Sequence, residues 1–477
     1  MKDNRTSVKR SLFVSAIALT LTAALLIGTT FAWFTSTAQT SVSDIHAGTL
    51  KVEIVDENGK AFEKDTISFV NADNSADVLW EPNATFQTQK FKIKSSGTLA
   101  LTYKLTLNVP TGDNVLLKNI DFSVVDNDGK EVSLDGFEAT LTPDNSTSEV
   151  YTIKGHMRPD AQNDCQGKTL NGISLAVVAK QATYEKDSNG SDYDNDAEYP
   201  ISVTTGDELQ AVVSNAKAPV NIVLTNDITT NNFVIPADKD VTLDLNGFTL
   251  TGGDSHAILN RGKLCIKDSN GNGKIVASKV ETSALRNAAI CVIDGGTFTR
   301  AEGEDNKWHT VENFGTMTFN GGKVIADDNQ SFAIVNGWNH IDPGEQKATM
   351  TINDIKMTAS PNGLKNCAGG TLTMNGGTLH CTDSWGLSND SAGVATINGG
   401  EITSDKYVAI SNGGAKMEIN GGTFSGPEGS LYVQRWAKET VVKGGSYQNE
   451  TEEFMKPYCA AGYTATLKDG RVVVSKN

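Results

Sequence analysis

A chain of 477 residues with a formal charge of −16 is too long for one ordinary domain and holds ample material for a large core. So acidic a surface argues against nucleic acid and against anionic membranes as partners. The six cysteines, at positions 165, 265, 291, 367, 381 and 459, show neither Cys-x-x-Cys nor any metal-ligand spacing, so no metal or cofactor is expected and the thiols are expected to be free.

At the N-terminus Lys9-Arg10 precede an apolar run from Ser11 to Gly28 that ends in Thr30-Phe31-Ala32. That order of basic, apolar and small-residue segments reads as a signal peptide over residues 1–32, cut between Ala32 and Trp33. Its removal, three positive charges net, leaves the remainder at −19. The stretch from Ser11 to Phe34 is also just long enough to serve as an uncleaved membrane anchor.

Residues 33–186 follow a period of two. Leu101-Thr-Tyr103-Lys-Leu105-Thr-Leu107, Ile120-Asp-Phe122-Ser-Val124 and Ile173-Ser-Leu175-Ala-Val177 alternate apolar and polar positions, and Asn127-Asp128-Gly129 supplies a hairpin turn. An antiparallel β-sandwich with a jelly-roll-like path is expected here.

The run Gly28-Thr-Thr-Phe-Ala32-Trp-Phe34 with Ala47-Gly48-Thr49-Leu50 resembles the leader and first mature strand of the TasA/camelysin family of Gram-positive secreted proteins. Weaker likeness runs through Trp80-Glu-Pro82, Phe91-Lys-Ile93 and Ala179-Lys-Gln181-Ala182, with Cys165 and Lys180 departing from the family pattern. The resemblance covers about residues 20–186. It implies secretion, a sandwich fold and self-assembly or docking on a related surface protein, with biofilm matrix as the setting. The camelysin name also implies a metallopeptidase, but the chain contains no His-Glu-x-x-His.

Residues 187–200 are polar and acidic and read as a linker; Asp192, Asp194, Asp196 and Glu198 could offer oxygens to Ca²⁺ but lack EF-hand spacing. Thr205-Gly-Asp-Glu208 is a capping box followed by Leu209, Val212 and Val213 on one helical face, so a short helix is expected to cap the second domain.

From Asn246 to Gly445 one phrase recurs, an apolar pair followed by Asn-Gly-Gly, as in Leu372-Thr-Met374-Asn375-Gly-Gly and Met417-Glu-Ile419-Asn420-Gly-Gly. The first glycines at 376, 399, 421 and 444 stand 22 to 23 residues apart. A second marker, an apolar residue two before an asparagine, places Asn260, Asn287, Asn313, Asn336, Asn366, Asn389 and Asn412 at one phase, where they can form a turn ladder. Strands this short cannot bury their own apolar side and must stack coil on coil. A leucine-rich solenoid has a similar period, but its Leu-x-x-Leu-x-Leu frame is missing.

The expected fold is therefore all-β: the sandwich, then a right-handed parallel β-helix over residues 201–477, capped at about 201–235 and 451–477. Ile222 to Leu250 resembles the opening of β-helix domains similar to pectate lyases, which are often not enzymes. No Leu-Pro-x-Thr-Gly motif is present, so covalent attachment to a cell wall is not expected.

Polysaccharide-cleaving β-helices cluster carboxylates or basic residues across adjacent coils. Here Asp294, Glu312, Asp383 and Asp390 form no acidic column, so no catalytic residue is assigned. Trp308, Phe332, Trp385 and Tyr407 precede their coil asparagines by four or five residues. They read either as a ladder for sugar rings or, if alternation holds, as inward packing of Phe332 and Trp385. The insertion holding Trp338, His340 and Asp342 is a second candidate contact region or an ordinary loop.

The function expected is that of a non-catalytic secreted cell-surface or extracellular-matrix protein, structural or adhesive, using its sandwich for assembly and its β-helix as a spacer or glycan-binding surface. A secreted carbohydrate-active enzyme, lyase or hydrolase, with an atypical β-helix site is the alternative. A third reading has the sandwich only tether the β-helix beside a partner.

Overall fold

The computed structural model describes residues 51–61, 69–70, 80–97, 99–108, 115–143, 145–165, 174–182, 199–301, 308–337 and 348–477. The leader with Ala32 and Trp33, the linker carboxylates from Asp192 to Glu198, and Trp338, His340 and Asp342 lie outside these residues.

The chain is all-β, with a right-handed parallel β-helix of about ten turns over residues ~201–447. Most coils contribute three short strands. In one of them these are Thr371–Met374, Thr378–Cys381 and Leu387–Asn389, here termed first, second and third. First strands stack into a sheet of eleven, and second and third strands into another.

Register explains why the apolar pairs recur. Leu264, Cys291, Met317, Met350, Leu372, Ala395 and Met417 stand in line on the first strands, each no more than 2% exposed. Two residues on, Ile293, Phe319, Ile352, Met374, Ile397 and Ile419 form a parallel inward column. Each such large side chain stabilises the fold by about 1.5–3 kcal/mol on burial. No coil could gain this alone, because the faces of its neighbours provide the apolar contact. Outward positions between these columns hold Thr318, Thr351, Thr373 and Thr396, β-branched residues that suit a strand and keep the surface polar.

The corner after the first strand takes its left-handed backbone on the second glycine of the phrase, with φ between +85° and +113° at Gly296, Gly322, Gly377, Gly400 and Gly422. The column asparagines do not adopt positive φ, so they act through their side chains, not as backbone corners.

A helix, Gly206–Asn215, precedes the main stack. Glu208 N donates to Thr205 Oγ1 at 3.2 Å, while the Glu208 carboxylate reaches back to Thr204 N and not to Thr205 N, one residue off the reciprocal capping-box bond. Leu209 and Val213 are buried in the same apolar cluster as the first coils. After the last coil, Tyr463–Lys468 and Arg471–Lys476 form an antiparallel hairpin whose second strand pairs with Ser446–Gln448.

The segment before the β-helix holds antiparallel sheets of two, three and five strands. Phe91, Ile93, Leu101, Tyr103, Leu105 and Ile153 form its apolar centre. The Asn127-Asp128-Gly129 turn joins Ile120–Val125 to Glu131–Ser133, its backbone N–H groups at 128 and 130 donating to Asp126 Oδ1. Tyr199, at the start of the β-helix, lies under the Nζ atoms of Lys104 and Lys180 at 4.5 and 4.9 Å from its ring centre.

Candidate functional site

Two amide columns run along the β-helix. The buried one closes the third strands: Asn260 Nδ2 donates to Asn287 Oδ1 at 2.7 Å, and the same bond repeats through Asn313, Asn336, Asn366, Asn389 and Asn412 at 2.7–2.9 Å. All seven are 0% exposed, and all seven also donate to a main-chain carbonyl 27–36 residues further along the chain. The second column is exposed, at the Asn-Gly-Gly corners. There Asn320 donates to Asp294, and Asn353, Asn375, Asn398 and Asn420 each donate to the preceding member, at 2.8–2.9 Å. Donation runs toward the C-terminal end in the buried column and toward the N-terminal end in the exposed one.

Beside the buried column, the outward position of the third strands reads Arg286, Glu312, Val335, Lys365, Ser388, Ser411 and Tyr432. Glu312 is 1% exposed, with Oε2 held by Arg286 Nη1 at 3.2 Å and Oε1 accepting from Trp308 Nε1 at 3.1 Å. Burial pushes its carboxyl above the usual range, against the pull of Arg286. Arg286 in turn lies over the Phe314 ring at 4.7 Å.

Basic groups surround this pair. Arg300 donates to the carbonyls of Thr282, His309 and Lys279, and burial lowers its pKa to about 10. His256 Nδ1 accepts from Ser283 N at 2.9 Å; burial, then Arg286 and Arg300, hold its pKa down at about 4, so the ring is neutral. With both Glu312 oxygens engaged and its surface covered, this cluster fastens the segment from Trp308 onto the third strands.

The aromatic residues separate into two kinds. Trp308 and Phe332 are partly buried and linked through His309, with ring centres 5.0 and 6.0 Å apart, and Lys365 Nζ lies 5.0 Å from the Phe332 ring. Trp385 is also partly buried, while Tyr407 is 45% exposed. Among the described residues no ring contact joins Trp385 or Tyr407 to that stack.

Phe332 and Trp385 are not core residues, contrary to strict alternation. Ala333, Ile334, Val335 and Asn336 are all 0% exposed in succession, so the inward count fails just before the third strand. Register shifts between Ala326, Asn329 and Phe332 mark where the alternation breaks.

Two exposed aromatics escaped the sequence pattern, Tyr432 at 51% and Trp436 at 56%. Val433 takes the column position after Asn412, so the asparagine marker that would have drawn attention to this coil is missing. The Arg286–Glu312 pair had a readable signal: both residues stand immediately before a column asparagine in successive coils.

The cysteines carry no chemistry at this site. All six are free, and the Cys265 thiol is raised to about 12 by burial and then by Asp294, which keeps it protonated and unreactive. Among the described residues no three His, Cys, Asp or Glu side chains converge to hold a metal ion. No protein-family model matches the chain, and no curated protein matches it.

Proposed function

We propose that this is a secreted cell-surface or extracellular-matrix protein with a structural or adhesive role. Its TasA-like β-sandwich mediates assembly, and its pectate-lyase-like β-helix is a stiff shaft that holds a glycan-binding surface away from the assembly point. The helix Gly206–Asn215 closes the shaft at its first coil.

The observation that carries the reading is the buried asparagine column, continuous from Asn260 to Asn412. Each inner member, from Asn287 to Asn389, is bonded to the asparagines of the coils on both sides, so bending or fraying between coils would break buried amide bonds. That is the property a spacer needs. The assembly half draws on open sheet edges such as Glu131–Ser133, which main-chain pairing with another chain could extend. The segment Trp33 to Ser43, freed by cleavage after Ala32, is the donor strand in this scheme.

The test is light scattering and negative-stain microscopy on protein secreted from a Gram-positive host, with N-terminal sequencing of the same sample. Polymers that begin at Trp33 and disappear on deletion of residues 33–43 support the reading. A stable monomer removes the assembly role, and release of reducing ends or unsaturated products from a polysaccharide replaces the adhesive role with an enzymatic one.

A further inference from the structure

We propose that the last coils of the β-helix carry a binding site for a neutral polysaccharide, built from Tyr432, Trp436 and Gln434 with Tyr407 at its margin. This rests on the glycan-binding reading of the shaft and assigns it to residues other than the aromatic series apparent in the sequence.

Tyr407, Tyr432 and Trp436 are three of the four strongly exposed aromatic side chains among the described residues. They occupy two successive coils, at and beside the third strands: Tyr432, in register with Ser411, shares a coil with Trp436, and Tyr407 lies four residues before Ser411 on the preceding coil. Trp308 and Phe332, by contrast, are partly buried, and Trp308 Nε1 already donates to Glu312.

The polar groups beside these rings suit hydroxyls. Gln434 is 8% exposed, and its Nε2 donates to the fully buried Ser411 Oγ at 2.7 Å. Neither its Oε1 nor the Trp436 Nε1 makes a hydrogen bond with the described residues. Both lie within 2.6 Å of where a Cβ on Gly413 would stand, so an open acceptor and an open donor are neighbours beside an exposed indole. A sugar hydroxyl donates and accepts at once and can answer both, while the apolar face of a pyranose stacks on the rings. Gly413 is what makes room for the indole in this position.

Charge selects a neutral ligand. In the sequence around the rings Arg435 and Lys438 are matched in number by Glu428 and Glu439, Lys406 is paired with Asp383, and the Arg435 guanidinium lies over one face of the Trp436 ring at 5.5 Å. The chain as a whole, at −16, repels polyanions.

The experiment is titration calorimetry with tryptophan fluorescence on the full secreted chain, using cellohexaose, laminarihexaose and chitohexaose as neutral probes and oligogalacturonate as the charged one. At least one neutral hexasaccharide is expected to bind and shift the emission. Tyr432→Ala and Trp436→Ala each weaken it at least roughly tenfold, Trp385→Ala leaves it unchanged, and circular dichroism checks that each variant is folded. Should Trp436→Ala fail to fold, Trp436→Phe keeps the ring, removes the Nε1 donor and is expected to bind more weakly than the parent. Neutral-sugar binding that ignores Tyr432 and Trp436, or binding of oligogalacturonate alone, overturns this site while leaving a glycan-binding shaft in place. Binding of no probe of either kind overturns both.

Discussion

Asn336 donates to Asn366 at 2.7 Å across 30 residues of chain, whereas the links on either side, Asn313 to Asn336 and Asn366 to Asn389, span 23. The extra residues of that coil are therefore accommodated without moving the column out of phase. Replacing Asn336 with Ala strands the fully buried Asn366 acceptor, takes from Asn313 Nδ2 one of its three acceptors and removes the donor to the Thr371 carbonyl. The expected cost is about 2–4 kcal/mol in urea unfolding, against roughly 0.5 kcal/mol for Asn398→Ala in the exposed column, where water replaces the lost bonds.

The corner glycines allow backbone strain and crowding to be measured apart. Gly400 has φ +92°, and a Cβ there would meet Met374 Cε at 2.6 Å and the Gly377 carbonyl oxygen at 2.8 Å. Gly369 has φ +76° with nothing within 4 Å. Gly369→Ala is expected to cost about 1 kcal/mol from strain alone, and Gly400→Ala about 2–4 kcal/mol. Equal losses of thermal stability in the two variants would mean that crowding at the corner adds nothing to strain.

Acid sensitivity is expected from His256. Its folded pKa of about 4 lies below the ordinary 6.5, so the unfolded chain binds the extra proton first. Stability is then lost as pH falls from about 6.5 to about 4, by at most about 3 kcal/mol. Glu312, raised by burial, acts in the opposite sense and favours the folded state at lower pH. Urea titrations between pH 4 and 7 should show a shallower acid limb in His256→Gln than in the parent.

The buried Arg286–Glu312 pair should cost more to break than to replace. Glu312→Ala leaves the Arg286 charge facing a covered cavity and removes the Glu312 acceptor of Trp308 Nε1, for an expected loss of about 3–5 kcal/mol. The double change Arg286→Met with Glu312→Leu should recover most of that loss. A double-mutant cycle measures both, and additive losses would mean that the two side chains act separately.

The strand pattern was legible because each coil repeats its inward pairs. Leu372 with Met374 and Met417 with Ile419 follow the same apolar-x-apolar spacing that the core demands. The column asparagines were legible for a related reason, since a side chain bonded to the equivalent residue above and below must recur at one phase. Phe332 was not, because alternation presumes a regular strand and the chain shifts register twice before reaching it. Nor did the sequence distinguish which residue of Asn-Gly-Gly turns the corner, as both types tolerate left-handed backbone; only the second glycine does so. Tyr432 and Trp436 were missed because exposure depends on which neighbours a coil has, and their coil is next to the terminal one.

The opposed donation of the two amide columns has an electrostatic consequence. In an α-helix the peptide dipoles align and leave partial charges of opposite sign at its ends. Here the side-chain dipoles of the buried column point one way along the axis and those of the corner column the other. Their axial moments offset one another, so adding or removing a whole coil lengthens or shortens the shaft without building up a potential at either tip.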